Sequence, residues 1–242
     1  MKRSFGRLLL LLLLCTVALQ LVFALRIATM AWLDPASTTM QRSEAWRLLT
    51  QQRRLLWGQR WVDRDRISVH LQRAVIASED AGFVDHRGIE WDAVENAWSR
   101  NQRAQARAER RAGNRPSAPV RLVGGSTITQ QLAKNLLLSG ERTLLRKGQE
   151  LVLTYALERL LTKRRILELY LNHVEWGAGV FGAEAAAQHY FRKSASALST
   201  WEAARLAVML PRPRFFEQRP HSAYLGQRAA TIVMRMNRTE LP

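Results

Sequence analysis

Apolar and polar positions alternate along this chain with helical periods, and no strand-like alternation is sustained. The chain starts with a short basic stretch, Lys2, Arg3 and Arg7, followed by an uncharged run of 18 residues, Leu8 to Leu25. Arg26 interrupts it, and Ile27 to Leu33 adds a second apolar patch edged by Trp32. Eighteen residues at 1.5 Å each reach about 27 Å, close to the hydrocarbon thickness of a bilayer. Signal-peptide cores are shorter, although the small residues Ala24 and Ala28 would suit cleavage. The pattern predicts a retained single-pass anchor with its basic end inside, which puts the remainder outside the cytoplasm.

A linker follows at Asp34–Thr39. Ser43 to Trp61 is then basic and aromatic, with Trp46, Arg47, Arg53, Arg54, Trp57, Arg60 and Trp61. Two readings fit: tryptophans at a membrane interface, or tryptophans packed on a core. His70–Ser78 reads as a helix with Leu71, Ala74, Val75 and Ala77 inward, and its end delivers Glu79 and Asp80 into a turn containing Gly82. Phe83, His86 and Gly88 come next, then a helix over Trp91–Trp98. A carboxylate held at a helix exit and shielded by Phe83 suits a general base. His86 in that loop reads first as a structural hydrogen-bonder. Arg100 to Arg121 carries seven arginines against one acid and two prolines, so it is expected to be a mobile basic loop, either solvated or capturing anions.

Gly124-Gly125 makes an unobstructed turn. Thr127 and Gln130 fit a capping box at the start of the next helix. Another helix is expected from near Glu141 past Glu158, burying Leu144, Leu145, Leu151, Val152 and Tyr155. On it, Arg142, Arg146 and Glu150 share one stripe with Lys147 beside it, a pattern that by itself is common on solvated helices and that also makes a seat for a phosphorylated ligand. Ile166, Leu167, Tyr170 and Leu171 mark a further helix. Asn172–Gly182 is punctuated by glycine, Glu184–Tyr190 is alanine-rich, and Ser199 or Thr200 caps Trp201–Leu210, which Pro211 ends. A last helix covers Ala223–Asn237. The fold class expected is mainly α, a single globular domain preceded by one N-terminal transmembrane helix, divided as 1–7 basic tail, 8–33 anchor, 34–65 linker and membrane-proximal segment, and 66–242 domain.

Charge narrows the partners. Thirty-seven Lys and Arg against 20 Asp and Glu give a net charge of +17, which calls for an anionic partner. Nucleic acid is disfavoured by the absence of zinc spacing or an aromatic-basic reading motif, and by the anchor. Cys15 is the sole cysteine, so an internal disulfide and a cysteine-based metal site are both excluded.

Five stretches, taken together, resemble the peptidoglycan glycosyltransferases, the lipid II polymerases of glycosyltransferase family 51, in their monofunctional biosynthetic form. They are SEDAGFVDHRG, GGSTITQQLAKNL, RKGQE, KRRILELYLNHVEWGAGVFGAEAAAQHYF and LSTWEAARLAVMLPRP, spanning about Ile76 to Pro213. The chain ends soon after the fifth, so a transpeptidase domain is not expected. The resemblance implies a mostly α, lysozyme-like fold. It implies that Glu79 is the base that deprotonates the acceptor's 4-hydroxyl, and that Glu150 is a second essential carboxylate, orienting cationic groups or a divalent ion, Mg or Mn, near the pyrophosphate. Lys134, Arg142, Arg146 and Lys147 would grip the pyrophosphate, Ser126, Thr127, Gln130 and Gln131 would line the site, and Asp80 and Phe83 would shape the acceptor side. Gln149 stands where some members have lysine. Glu79 and Glu150 are expected to face one groove. Lipid II, the growing glycan chain, the inner membrane and cell-wall synthesis or division proteins are the implied partners, with the catalytic domain periplasmic.

Overall fold

The computed structural model describes residues 2–53, 56–112, 124–141 and 143–242. It opens with α1 (Lys2–Thr29), whose residues 4–19 are exposed. Gln20, Phe23, Ala24 and Ile27 then form a stripe at helical spacing that meets the rest of the chain, with Ile27 and Met30 fully taken into the core. Arg165 fastens the end of this helix. Its guanidinium donates to the Met30 carbonyl at 2.7 Å and the Leu33 carbonyl at 3.2 Å, and pairs with Asp34 at 2.6 Å.

The body is made of packed helices. In one group α3 (Val69–Glu79), α9 (Thr200–Met209) and α11 (Ala223–Met236) pack mutually, through Leu71, Val75, Leu206, Leu225 and Ile232. In the other, α5 (Ile128–Leu137) lies against α2 (Thr39–Arg47), α6 (Leu144–Leu160) and α7 (Lys163–His173). The chain also contains α4 (Trp91–Ala112), α8 (Ala183–Phe191) and α10 (Pro213–Glu217). Trp176 is completely buried, and its indole N–H donates to the Leu206 carbonyl at 3.0 Å, so this aromatic ring costs no unpaired polar group.

Three very short strands, β1 (Gly58–Gln59), β2 (Glu175–Gly177) and β3 (Val180–Phe181), form a sheet in the order β1-β3-β2. β3 runs parallel to β1 and antiparallel to β2. Strands of two or three residues are too short to impose a visible period. The fold is therefore mainly α, a single globular domain behind one apolar N-terminal helix long enough to cross a membrane.

Two expectations require correction. The basic stretch from Arg100 is not a loop up to Ala112, because α4 continues through it; its arginines and glutamines are good helix formers, and the prolines that suggested a break begin only at Pro116. The remainder, 113–121, lies outside the described residues. On α6, Leu144, Leu145, Val152 and Tyr155 are exposed by 91, 89, 50 and 69% rather than buried, and Leu151 is only half-buried. The inward stripe is Glu150, Leu153, Thr154 and Leu157, at i, i+3, i+4 and i+7. The tryptophans of 43–61 divide between the two readings: Trp46 is 70% exposed, whereas Trp61 packs on the core beneath Arg165.

Candidate active site

Glu79 is the last residue of α3, a helix whose Leu71, Ala74, Val75 and Ile76 are buried. Because the next residue, Asp80, leaves the helical conformation, with φ −163° and ψ 72°, the chain turns away and leaves Glu79 at the edge of the core. Asp80 is 3% exposed, and both oxygens are engaged. Oδ1 accepts from His86 Nε2 at 2.7 Å, and Oδ2 accepts the Ile128 backbone N–H at 2.9 Å. The second of these bonds caps α5. The expected capping box completes the cap: Thr127 Oγ1 accepts from the Gln130 N–H at 3.2 Å, and Gln130 Oε1 accepts from the Thr127 N–H at 3.0 Å. Thr127 Oγ1 also donates to the Gly88 carbonyl at 2.6 Å. The acidic loop and the start of α5 are thus one hydrogen-bonded unit. Gly125 lets it close: a Cβ there would stand 2.9 Å from the Ala93 carbonyl oxygen. Replacing Thr127 with Val is expected to cost about 1 kcal/mol and lower Tm by about 2–4 °C, as measured by thermal unfolding of the purified chain.

That unit aims Gln131 at Glu79. The Gln131 amide donates to Glu79 Oε2 at 2.9 Å, while its carbonyl accepts from the Tyr170 hydroxyl at 3.0 Å. Tyr170 is fully buried, and burial together with the charges of Glu79 and Asp80 pushes its hydroxyl well up, so it keeps the proton that it donates to Gln131. The Tyr170 bond fixes which end of the amide faces Glu79. Burial raises the Glu79 carboxyl above its ordinary value; the bonds from Gln131 and Ser78 oppose this, and Asp80 adds to it.

Glu150 lies on the inward side of α6 and is 3% exposed. Arg146 Nη1 donates to its Oε2 at 2.7 Å, and Lys147 Nζ closes on Oε1. Arg146 Nε and Asn135 Oδ1 are buried with no hydrogen-bond partner among the described residues. Both residues line a cavity of about 530 Å³, whose wall also carries Gln130, Gln131, Lys134, Lys147 and Glu150. The Arg146 Nε–H, a buried donor beside paired cations, is what an anionic ligand would satisfy, whereas Asn135 Oδ1 is an acceptor and calls for a donor such as a sugar hydroxyl.

The two carboxylates do not line one cavity. Glu79 and Asp80 border a smaller hollow of about 100 Å³, with Thr127, Gly125, Glu90 and Arg100. The hollows adjoin at Ser126, which lines both, and Gln131 bridges them, because it lines the larger and hydrogen-bonds Glu79. Phe83 reaches neither. It is fully buried, with Lys163 Nζ 4.5 Å from its ring centre, so it supports the loop from behind rather than shaping a surface. Arg142 lies outside the described residues.

The far wall of the larger cavity was not foreseen. Glu44, 4% exposed, accepts from Arg47 at 2.7 and 2.8 Å and from Arg214 at 2.6 Å, and Arg214 also bonds Glu175 at 2.6 Å. Burial pushes Glu44 up, but the bonds and charges of Arg47 and Arg214 outweigh it and hold the carboxyl below its ordinary value. Glu44 and Arg214 are 170 residues apart, so no sequence spacing could pair them.

The ligand atoms of Asp80, His86 and Glu90 lie within 4.8 Å of one another, a grouping that could suit a divalent ion. Their hydrogen bonds argue against it. His86 Nδ1 accepts the Gly88 N–H at 3.1 Å, so Nε2 carries the proton and donates it to Asp80, whose other oxygen holds α5. Glu150 is no better suited, with both oxygens occupied by cations.

A helical domain holding a buried carboxylate beside a cationic cavity has the make-up of a group-transfer enzyme. The comparisons narrow this class. The family described as Transglycosylase matches residues 48–237. The chain is similar to the biosynthetic peptidoglycan transglycosylase of Burkholderia thailandensis, 52% identical over 226 residues, covering 93% of this chain and 83% of that protein. It is similar to the protein of the same name from Bordetella pertussis, 51% identical over 212 residues, 88% and 84% of the two chains, and to that of Paraburkholderia xenovorans, 49% identical over 226 residues, 93% and 88%. The chain belongs to the transglycosylase family, and it is a glycosyltransferase.

Proposed function

We propose that this chain is a peptidoglycan glycosyltransferase that polymerises lipid II into β-1,4-linked glycan. The observation carrying this reading is the juxtaposition at Ser126 and Gln131: a carboxylate made more basic by burial on one side, and Arg146, Lys147 and Lys134 around a cavity on the other. Glu79 takes the proton of the acceptor's 4-hydroxyl. That oxygen attacks C1 of the donor, the C1–O bond to the diphosphate breaks, and its electron pair leaves with undecaprenyl diphosphate. Because the leaving group departs as an anion, the cations do the work that a protonated acid does in an inverting hydrolase. The donor's α linkage becomes β in one displacement. Asp80, Thr127 and Phe83 act by positioning Glu79 and α5. Residues 8–33 hold the domain, 66–242, on the periplasmic face of the inner membrane, in reach of lipid-borne donor and of other wall-building proteins.

Incubation of the purified full-length chain with lipid II, and separately with finished glycan strands, tests the reading. Growing chains from lipid II with intact strands support it. Shortened strands and no polymer would make the chain a hydrolase.

A further inference from the structure

Among the described residues, a reciprocal amide pair joins the apolar helix α1 to α6. Gln20 Nε2 donates to Gln149 Oε1 at 2.9 Å, and Gln149 Nε2 donates back to Gln20 Oε1 at 3.0 Å. Both residues are half-buried. Gln20 opens the stripe Gln20, Phe23, Ala24, Ile27 by which α1 meets the domain, and α6 is the helix it packs on. Gln149 immediately precedes Glu150, and Arg146 and Lys147 lie within the same turn of helix.

Depth follows from helix length. The free apolar part of α1, Leu8 to Leu19, rises about 18 Å at 1.5 Å per residue, well short of a hydrocarbon core of about 30 Å. To fill that core, α1 must remain in it beyond Gln20, so the contact with α6 lies at hydrocarbon depth. An amide there has no water to bond and needs a protein partner, and two glutamines satisfy each other. The exposed Leu144, Leu145, Val152 and Tyr155 of α6 agree with this placement, since acyl chains would cover what water would not.

We propose that the Gln20–Gln149 amide pair is an intramembrane clasp that fixes the height and rotation of α6 against α1. It thereby fixes where Arg146, Lys147 and Glu150 sit relative to the anchor, and so relative to the bilayer that carries the lipid-borne substrate. The clasp rests on the reading of α1 as a membrane anchor, and Gln20 and Gln149 are positioning residues that touch no reacting atom.

The test uses the full-length chain in membrane vesicles. With Cys15→Ser as background, Gln20→Cys with Gln149→Cys is treated with a short bismaleimide, and the linked peptides are read by mass spectrometry. Linkage at 20–149, and none for Leu9→Cys with Gln149→Cys, is expected. Protein released by carbonate washing would defeat the anchor reading itself, whereas carbonate-resistant protein without the 20–149 link would overturn the clasp alone. In the second arm, Gln20→Leu is compared with wild type on lipid II in liposomes and on a short-chain, detergent-soluble analogue. A rate about fivefold lower in liposomes, and within about twofold of wild type in detergent, is expected for a lost interhelical hydrogen-bond pair. Equal losses in both settings, or none in either, would overturn the proposal.

Discussion

Glu79→Gln is expected to lower the rate of chain elongation by about a hundredfold to ten-thousandfold, the usual contribution of a positioned general base. The substitution keeps the shape and still offers an oxygen to the Gln131 amide, so the local geometry should survive. Stability should not fall with activity. The folded carboxyl is raised above its ordinary value of 4.5, so the folded state prefers the proton. Its contribution to stability is full below the ordinary value and is lost as pH rises through the raised one. At neutral pH the wild type therefore carries a buried charge that glutamine removes, and Tm of the variant should equal or exceed that of wild type. Activity runs the opposite way. The base must be ionised, so the acid limb of kcat/KM against pH should fall above 4.5 and disappear from the residual rate of the variant. Full activity in Glu79→Gln, or an acid limb at the ordinary glutamate position, would remove Glu79 from the role.

Arg146→Met carries the second largest effect. Arg146 is the better buried of the two cations on Glu150, with a side chain 16% exposed against 43% for Lys147. Removing it leaves a buried carboxylate with one cationic partner among the described residues and removes a buried Nε–H that none of them accepts. A charge-assisted hydrogen bond to a diphosphate contributes about 1.5–3 kcal/mol, so kcat/KM for lipid II should fall about ten- to hundredfold. Most of the loss should appear in KM if the grip acts on the ground state, and in kcat if it acts on the departing diphosphate. Arg146→Lys should recover only part, because an ammonium group cannot present two parallel donors. Steady-state kinetics over a range of lipid II concentrations decide between these outcomes, and an unchanged kcat/KM would mean that the cavity does not hold the diphosphate.

Much of this was legible before the fold. Local signals carried furthest: the Thr127–Gln130 box caps α5 as its spacing requires, and the helix delivering Glu79 ends at that residue. Helix α6 exists where its sequence puts it, yet its buried side could not be read, because Leu144, Leu145, Val152 and Tyr155 point outward and the inward stripe contains a glutamate. Phe83 differs for a similar reason: an aromatic near an acid reads as a shield on the acceptor side, and only the packing shows it behind the loop. Long-range pairings had no local trace. Tyr170 orienting Gln131, Arg214 meeting Glu44 and Gln20 meeting Gln149 each join residues far apart in the chain, and each needed the tertiary structure.

Stereochemistry probes the chemical account most directly. The first disaccharide–disaccharide linkage formed from α-linked lipid II can be assigned by the anomeric proton coupling in the purified tetrasaccharide product. A lone carboxylate on the attacking side, with cations receiving the diphosphate, requires the β anomer alone. An α linkage, or a trapped glycosyl ester on Glu79 or Glu150, would show two displacements instead of one and contradict it.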